Sequence, residues 1–195
     1  RSIGEAAPRP GGHDHVVLYL IGGAPRCGKT LLAQRLGSAL GAGWCSTDTV
    51  RDVVAMLRPD FGAAGGVGVP PGAEANLFFP YFERMAESCA YLAADYVVEG
   101  VGFLPRHVEA LASWVDRRVV FVGMVEPRLD AILAHEGRNR WHRHLPPETL
   151  AAVPAWIADW SHALREECAA TGVRYVDLSD DFDAGQREAE RLLLG

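Results

Sequence analysis

The sequence lacks several features that mark common classes of protein. Its four cysteines are too far apart along the chain for a zinc knuckle, and we expect reduced thiols rather than disulfides. No apolar run approaches the roughly 18 residues that a membrane span needs. The first fifteen residues contain no apolar stretch of the kind found in a secretory signal. We therefore expect a cytoplasmic protein with no membrane partner.

The chain is also short of positive charge, and in particular of lysine. Its 195 residues carry a formal net charge of −6, and Lys29 is the only lysine among 19 basic residues. A protein that coats a long nucleic acid needs a basic face, so this charge balance argues against such a partner. The length and a hydrophobic fraction of 49% are sufficient for one domain with a sizeable core.

Short apolar runs alternate with longer amphipathic stretches along the chain. Residues 15–21 are almost continuously apolar and end at two glycines, which is typical of a strand buried on both faces. Residues 30–40 carry leucines about one helical turn apart and end at Gly41. The alternation predicts an α/β fold, with five strands in one parallel sheet that helices cover on both faces. The other predicted strands are 44–46, 96–98, 119–125 and 173–178, and the other predicted helices are 49–57, 77–94, 105–114, 127–135, 154–170 and 184–194.

Two segments interrupt this alternation. Residues 59–76 are rich in glycine and proline, and we expect a mobile loop there. Residues 137–147 carry Arg138, Arg140 and Arg143 between two predicted helices. Long loops inside a compact domain often form lids or substrate-binding elements. We expect a flexible tail at residues 1–14 and a single domain at residues 15–195.

Residues 23–30 match the P-loop pattern Gly-x-x-x-x-Gly-Lys-[Ser/Thr] at every fixed position. They follow a predicted buried strand and open a predicted helix, which is the context that this motif requires. Its glycines let the backbone wrap a phosphate, and the helix N-terminus adds positive partial charge. Lys29, which we expect to be solvent-accessible, can reach the β- and γ-phosphates, and the Thr30 hydroxyl can bind Mg²⁺. The predicted nucleotide-binding residues are Gly23, Ala24, Pro25, Arg26, Cys27, Gly28, Lys29 and Thr30.

Three further segments decide which kind of P-loop protein this chain resembles. A GTPase is excluded, because its Asn-Lys-x-Asp motif needs a second lysine. The segment Ser-Thr-Asp-Thr-Val-Arg at residues 46–51 resembles the Asp-x-x-Arg element of small kinases, and Val-Val-Glu-Gly-Val at residues 97–101 resembles the third strand of 2-phosphoglycerate kinases. The arginines of residues 138–143 resemble those of a lid. From about residue 15 to residue 194, the chain resembles the nucleoside-monophosphate-kinase-like group of P-loop kinases, which includes small-molecule, polynucleotide, zeta-toxin and 2-phosphoglycerate kinases.

This resemblance implies a fold, an activity and two cofactors. The fold is a three-layer α/β/α P-loop NTPase with strand order 2-3-1-4-5, an acceptor-site insert and helix at residues 59–95 and a lid at residues 136–147. The activity is transfer of the γ-phosphate of ATP, with Mg²⁺, to a hydroxyl of a small-molecule acceptor. Two alternatives remain open: a nucleotide or polynucleotide-end kinase, and a non-catalytic regulatory module that binds a nucleotide.

Two carboxylates follow predicted strands and are candidates for the chemistry. Asp48 follows the second strand, where a carboxylate can accept the proton of an acceptor hydroxyl. It can instead cap the helix predicted at residue 49, or hold water on Mg²⁺. Glu99 ends the third strand and is a candidate for Mg²⁺ or acceptor binding. Either of the two can be the general base.

Arginines and aromatic residues complete the predicted site. Arg51 can bind a carboxylate or phosphate of the acceptor, or form only a surface ion pair. Arg138 is the best candidate for stabilising the transferring phosphoryl group, and Arg143 is the next. Phe79 and its neighbouring aromatic residues can line an acceptor pocket, although core packing is the simpler interpretation. Trp156 and Trp160, four residues apart on a predicted helix, are expected to be core or interface residues.

Overall fold

A computed structural model describes residues 16–58, 66–91, 94–134 and 144–195. Five strands form one sheet, in which every pairing between neighbours is parallel and the strand order is β2-β3-β1-β4-β5. The α/β fold and the strand order expected from the sequence are thereby confirmed. The strands are β1 (Leu18–Gly23), β2 (Gly43–Ser46), β3 (Tyr96–Gly100), β4 (Arg117–Gly123) and β5 (Tyr175–Asp177).

The helices of the described residues surround the sheet. They are α1 (Lys29–Leu40), α2 (Thr47–Leu57), α3 (Ala73–Ala90), α4 (Pro105–Ala110), α5 (Leu129–Ala134), α6 (Pro147–Thr171) and α7 (Phe182–Leu194). Helix α1 contacts α7, and the two pack against the sheet together, while α6 contacts α4 and packs against strands β1, β4 and β5. None of the helices within the described ranges is long and apolar enough to cross a bilayer. All four cysteines are free thiols.

Two helices begin at least four residues earlier than the sequence pattern predicts. Helix α3 begins at Ala73, so residues 73–76 belong to a helix and not to the predicted loop. Helix α6 begins at Pro147 and continues through Pro154, where the sequence predicted its start. A proline inside a helix removes one backbone hydrogen bond. The buried face that includes Val153 and Ile157 compensates, because it packs both sides of that proline into the core.

The register of the sheet brings three strand ends together at its carboxyl edge. Every residue of β1 is buried, and this strand ends at Gly23, where the P-loop (residues 23–30) begins. Glu99 of β3 pairs with Ile21 of β1 on one side and with Ser46 of β2 on the other. Side chains that follow β1, β2 and β3 therefore meet at one edge, which is where open parallel sheets bind ligands.

Candidate active site

The conformation of the P-loop requires glycine at two positions, because a side chain at either position would clash with a neighbouring element. Gly23 has a φ of +147°, and a Cβ there would lie 2.1 Å from the carbonyl oxygen of Val122. Gly28 has a φ of +69° at the N-cap of α1, and a Cβ there would lie 2.6 Å from the ring of Phe182. The loop is thus held between β4 and α7 and leads directly into the N-terminus of α1.

Lys29 lies inside the P-loop rather than in solvent. The expectation of an accessible lysine was wrong, because only 7% of the residue is exposed. As the first residue of α1, Lys29 folds back over the loop, and its Nζ donates a hydrogen bond of 2.7 Å to the carbonyl oxygen of Ala24. The ammonium group is therefore already positioned beside the backbone that would surround a phosphate.

Thr30 and Glu99 connect the P-loop to the end of β3. The Thr30 hydroxyl donates a hydrogen bond of 3.0 Å to Oε1 of Glu99. Glu99 is almost fully buried, and this burial raises the pKa of its carboxyl group. Lys29 and the hydroxyl groups of Ser46 and Thr30 oppose that increase of the pKa, while the charge of Asp48 reinforces it.

Asp48 lies in the first turn of α2, and it is not the cap of that helix. The N-cap is Ser46, whose Oγ accepts a hydrogen bond of 3.3 Å from the Asp48 backbone N–H. The alternative role of Asp48 as the N-cap was therefore wrong. Oδ1 of Asp48 is buried and accepts no hydrogen bond from the residues that the structure describes. Such an oxygen is available to accept a proton or a hydrogen bond from a ligand.

Arg51 joins α2 to the first turn of α3 through carboxylates. Its guanidinium lies 3.7 Å from Asp48, 3.3 Å from Asp52 and 3.4 Å from Glu74. Burial raises the pKa of the Glu74 carboxyl group, and the charge of Arg51 opposes that increase. Arg51 thus lies on the predicted acceptor side, where it fixes the position of Glu74 relative to Asp48.

The aromatic residues of α3 divide between the core and a partly exposed position. Phe78 and Phe82 are fully buried, as the core-packing interpretation expects. Phe79 is half-buried, and the centre of its ring lies 4.6 Å from that of His107. Nδ1 of His107 accepts a hydrogen bond from the Leu104 backbone N–H, so the proton of the neutral ring lies on Nε2.

The remaining contacts of His107 fix its protonation state. Its Nε2 donates to Oδ1 of Asn76 at 3.1 Å, and the same oxygen accepts a hydrogen bond from Arg106. Burial and the positive charge of Arg106 lower the pKa of His107 to about 4, although Glu167 opposes them. His107 is therefore neutral around pH 7 and supports Phe79 through packing.

Comparisons with known proteins find this fold among solved structures. No family model and no curated protein sequence matches the chain. A gluconokinase from Sinorhizobium meliloti 1021 superposes with a TM-score of 0.53 at 15% identity, over 93% of this chain and 94% of that one. A shikimate kinase from Bacteroides thetaiotaomicron superposes with a TM-score of 0.51 at 18% identity, over 92% of this chain and 99% of that one. The chain therefore shares its fold with these two kinases.

Helix α7 supports the P-loop through Gln186, a residue that the sequence analysis missed. Gln186 is fully buried, and its Nε2 donates a hydrogen bond of 3.1 Å to the carbonyl oxygen of Cys27 in the P-loop. Its own Oε1 is buried and has no hydrogen-bond partner among the described residues. The available signal was a polar residue on the apolar stripe that Ala189 and Leu193 form on α7.

A second missed residue anchors α2 to the end of β3. Thr47 is fully buried, and its Oγ1 accepts a hydrogen bond of 3.1 Å from the Gly102 backbone N–H. Gly100 has a φ of +147°, and a Cβ there would lie 1.8 Å from that same hydroxyl oxygen. Thr47 thus anchors the start of α2 to this segment, and the charge of the neighbouring Asp48 contributes to the raised pKa of Glu99. Arg138, Arg140 and Arg143 lie outside the described residues.

The residues at the edge of the sheet suit Mg²⁺. Within the described ranges, no group of three or more histidine, cysteine, aspartate or glutamate side chains forms a metal site made of protein alone. Mg²⁺ in phosphate-transferring sites needs only one or two protein oxygens, because phosphates and waters complete its coordination. The Thr30 hydroxyl donates a hydrogen bond to Glu99, and its oxygen keeps lone pairs that can bind a cation. Thr30 and Glu99 therefore fit as the residues that would hold the ion.

Proposed function

We propose that this protein is an ATP- and Mg²⁺-dependent kinase that transfers the γ-phosphate to a hydroxyl group of a small-molecule acceptor. One observation carries the proposal. The hydrogen bond between Thr30 and Glu99 joins the P-loop to the end of β3, and the charge of Asp48 acts on that same glutamate. A phosphate-binding loop, a buried carboxylate and a carboxylate with an unbonded oxygen thus share one edge of the sheet.

The P-loop binds the triphosphate in this proposal. Its backbone N–H groups and the N-terminus of α1 surround the phosphates. Lys29 exchanges its hydrogen bond to the Ala24 carbonyl for one to the phosphates. Its ammonium group can therefore neutralise phosphate charge without a large movement of the side chain. Thr30 and Glu99 would hold Mg²⁺, which would neutralise charge on the phosphates.

Asp48 acts on the acceptor. As the acceptor oxygen attacks the γ-phosphorus, the bond to the ADP oxygen breaks, and Oδ1 of Asp48 takes the hydroxyl proton. The products are the phosphorylated acceptor and ADP, and the proton passes from Asp48 to solvent, to which half of this side chain is exposed. Glu99 is less suited to be the base, because the Thr30 hydroxyl already occupies one of its oxygens.

Four further side chains complete the proposed site. Arg51 and Phe79 lie on the acceptor side, where Arg51 orders the carboxylates of α2 and α3 and can contact the acceptor from the same position. Arg138 and Arg143 supply positive charge to the transferring phosphoryl group. The names of the two similar structures, a gluconokinase and a shikimate kinase, favour a polyhydroxylated small molecule as the acceptor class.

Phosphate transfer from radiolabelled ATP tests this proposal directly. The protein is incubated with Mg²⁺, γ-labelled ATP and pools of sugars, sugar acids, cyclic polyols, nucleosides, nucleoside monophosphates and a 5′-hydroxyl oligonucleotide. We expect label to appear in one small polyhydroxylated compound, and to be lost with Lys29→Ala and with Asp48→Asn. Label in a nucleotide or in the oligonucleotide would favour the nucleotide or polynucleotide-end kinase. Tight ATP binding without transfer to any pool would favour the regulatory module.

A further inference from the structure

The backbone carbonyl of Val69, in the segment before α3, accepts hydrogen bonds from two tryptophan side chains. The indole N–H groups of Trp156 and Trp160 both donate to the carbonyl oxygen of Val69, at 2.9 Å and 2.8 Å. A carbonyl oxygen has two lone pairs, so both bonds form at the same time. Trp160 is buried and Trp156 is half-buried, so these bonds lie largely away from solvent.

The segment from Val69 to the start of α3 is stiff. Val69 closes a turn through its N–H to the Gly66 carbonyl at 3.3 Å. Pro70 and Pro71 then follow in succession, and each fixes its own φ and restricts the residue before it. Gly72, with a φ of +115°, caps α3. The position of the Val69 carbonyl therefore determines where α3 begins.

The first turn of α3 is in turn connected to Asp48. Glu74 lies two residues beyond Gly72 and forms an ion pair of 3.4 Å with Arg51. Arg51 also lies 3.7 Å from Oδ1 of Asp48. A continuous series of contacts thus runs from α6 through Val69 and Glu74 to the carboxylate that faces the acceptor.

We propose that Trp156 and Trp160 are positioning residues for acceptor binding, which they control by fixing the Val69 carbonyl and thereby the start of α3. This inference rests on the proposed kinase function for its kinetic consequences, but the tethering itself can be measured without activity. Neither tryptophan touches the P-loop contacts described above. Their removal therefore affects the acceptor and leaves nucleotide binding unchanged.

Phenylalanine variants separate hydrogen bonding from packing. Trp156→Phe and Trp160→Phe each keep an aromatic ring and remove one donor, while the other indole still holds Val69. We expect each single variant to change kcat/KM for the acceptor by less than about twofold, and the double variant to lower it about tenfold or more, because only then is the carbonyl left unbonded. Trp114→Phe is the control, because Trp114 is exposed and lies outside α6.

A second variant tests the same connection without altering α6. Pro70 is exposed, so Pro70→Gly removes stiffness from the segment while it leaves both indole hydrogen bonds in place. We expect a rise in the KM for the acceptor with an unchanged Kd for ATP. Amide hydrogen exchange provides a readout that needs no activity. The N–H groups of residues 76–79, the first of α3 with acceptors inside the helix, should exchange faster in the tryptophan double variant, and those of α1 should not.

The outcomes distinguish failure of this inference from failure of the proposed function. Additive effects of the two tryptophan changes, or equal losses of ATP and acceptor binding, would show packing roles and overturn the inference. Unchanged exchange in residues 76–79 of the double variant would overturn it as well. If the wild-type protein phosphorylates no acceptor, the proposed function fails, and the exchange experiment alone decides whether the tryptophans position α3.

Discussion

The Thr30 hydroxyl donates a hydrogen bond to Oε1 of Glu99 and thereby connects the P-loop to β3. Glu99→Gln should preserve this bond, because the amide oxygen of glutamine accepts equally well. It removes the charge that we propose for Mg²⁺ binding, so phosphate transfer should fall about 10²-fold or more. Transfer is measured over a range of Mg²⁺ concentrations. Transfer at the wild-type rate at every concentration would show that Glu99 does not hold the ion.

The same variant should stabilise the nucleotide-free protein. Burial raises the pKa of Glu99, which means that the fold disfavours its charged form. A neutral glutamine removes this cost and should increase the free energy of unfolding at pH 7. Denaturant unfolding without nucleotide measures the change. A less stable variant would mean that the charge of Glu99 is compensated in the nucleotide-free state.

Lys29→Ala should separate catalysis from folding. Loss of the ammonium group removes the charge proposed for the phosphates, and turnover should fall about 10³-fold or more. The Ala24 carbonyl loses one donor, which should cost only about 1 kcal/mol of stability. Turnover and thermal unfolding are measured on the same preparation. A variant with near-normal turnover would refute the role of the P-loop in phosphate transfer.

Asp48→Asn tests whether Asp48 is the general base, and the result does not depend on helix capping. Because Ser46 is the cap, the change leaves capping intact and removes a charge that lies near the helix N-terminus and 3.7 Å from Arg51, which costs about 1 kcal/mol. Turnover should fall about 10²-fold or more, with the ATP affinity changed less than about tenfold. Nearly wild-type turnover would exclude Asp48 as the base. Parallel losses of turnover and ATP affinity would instead place Asp48 among the Mg²⁺-binding groups.

Gln186→Leu should weaken ATP binding from a position outside the phosphate site. The leucine fills the buried space but cannot donate to the Cys27 carbonyl, so the P-loop loses a support and the KM for ATP should rise about tenfold. Stability should change little, because the substitution also removes the unbonded Oε1. Gln34→Leu, at an exposed position on α1, is the control. Equal ATP kinetics in the two variants would argue against a supporting role.

His107 should make the protein less stable in mild acid. Its pKa is about 4 in the folded protein, compared with an ordinary value of 6.5. Between these pH values, the unfolded chain binds a proton that the folded protein does not. The free energy of unfolding should therefore fall as the pH falls, by up to about 1.4 kcal/mol per pH unit.

A histidine variant isolates this contribution to stability. His107→Gln should reduce the dependence of the free energy of unfolding on pH between pH 6.5 and pH 4, while His162→Gln, at an exposed position, should not. Denaturant unfolding at several pH values in this window provides the comparison. The same slope in wild type and His107→Gln would show that other groups control the acid sensitivity.

The sequence by itself determined the parts of this protein that depend on local pattern. The P-loop follows from eight consecutive residues, and the buried strand and helix around it follow from short hydrophobic periods. The positions of Asp48 shortly after β2 and of Glu99 near the end of β3 follow from the same alternation. The strand order came from a resemblance rather than from periodicity, because no local pattern specifies which strands become neighbours.

Tertiary structure alone decided which groups became partners. Arg51 finds a carboxylate on α3 that lies 23 residues further along the chain. Gln186 reaches a carbonyl 159 residues away, and Trp156 reaches one 87 residues away. Such contacts arise when separate elements pack together and each buried polar group must find a partner nearby. Sequence pattern indicates which apolar residues will be buried, but only the packed arrangement of the elements sets which donor meets which acceptor.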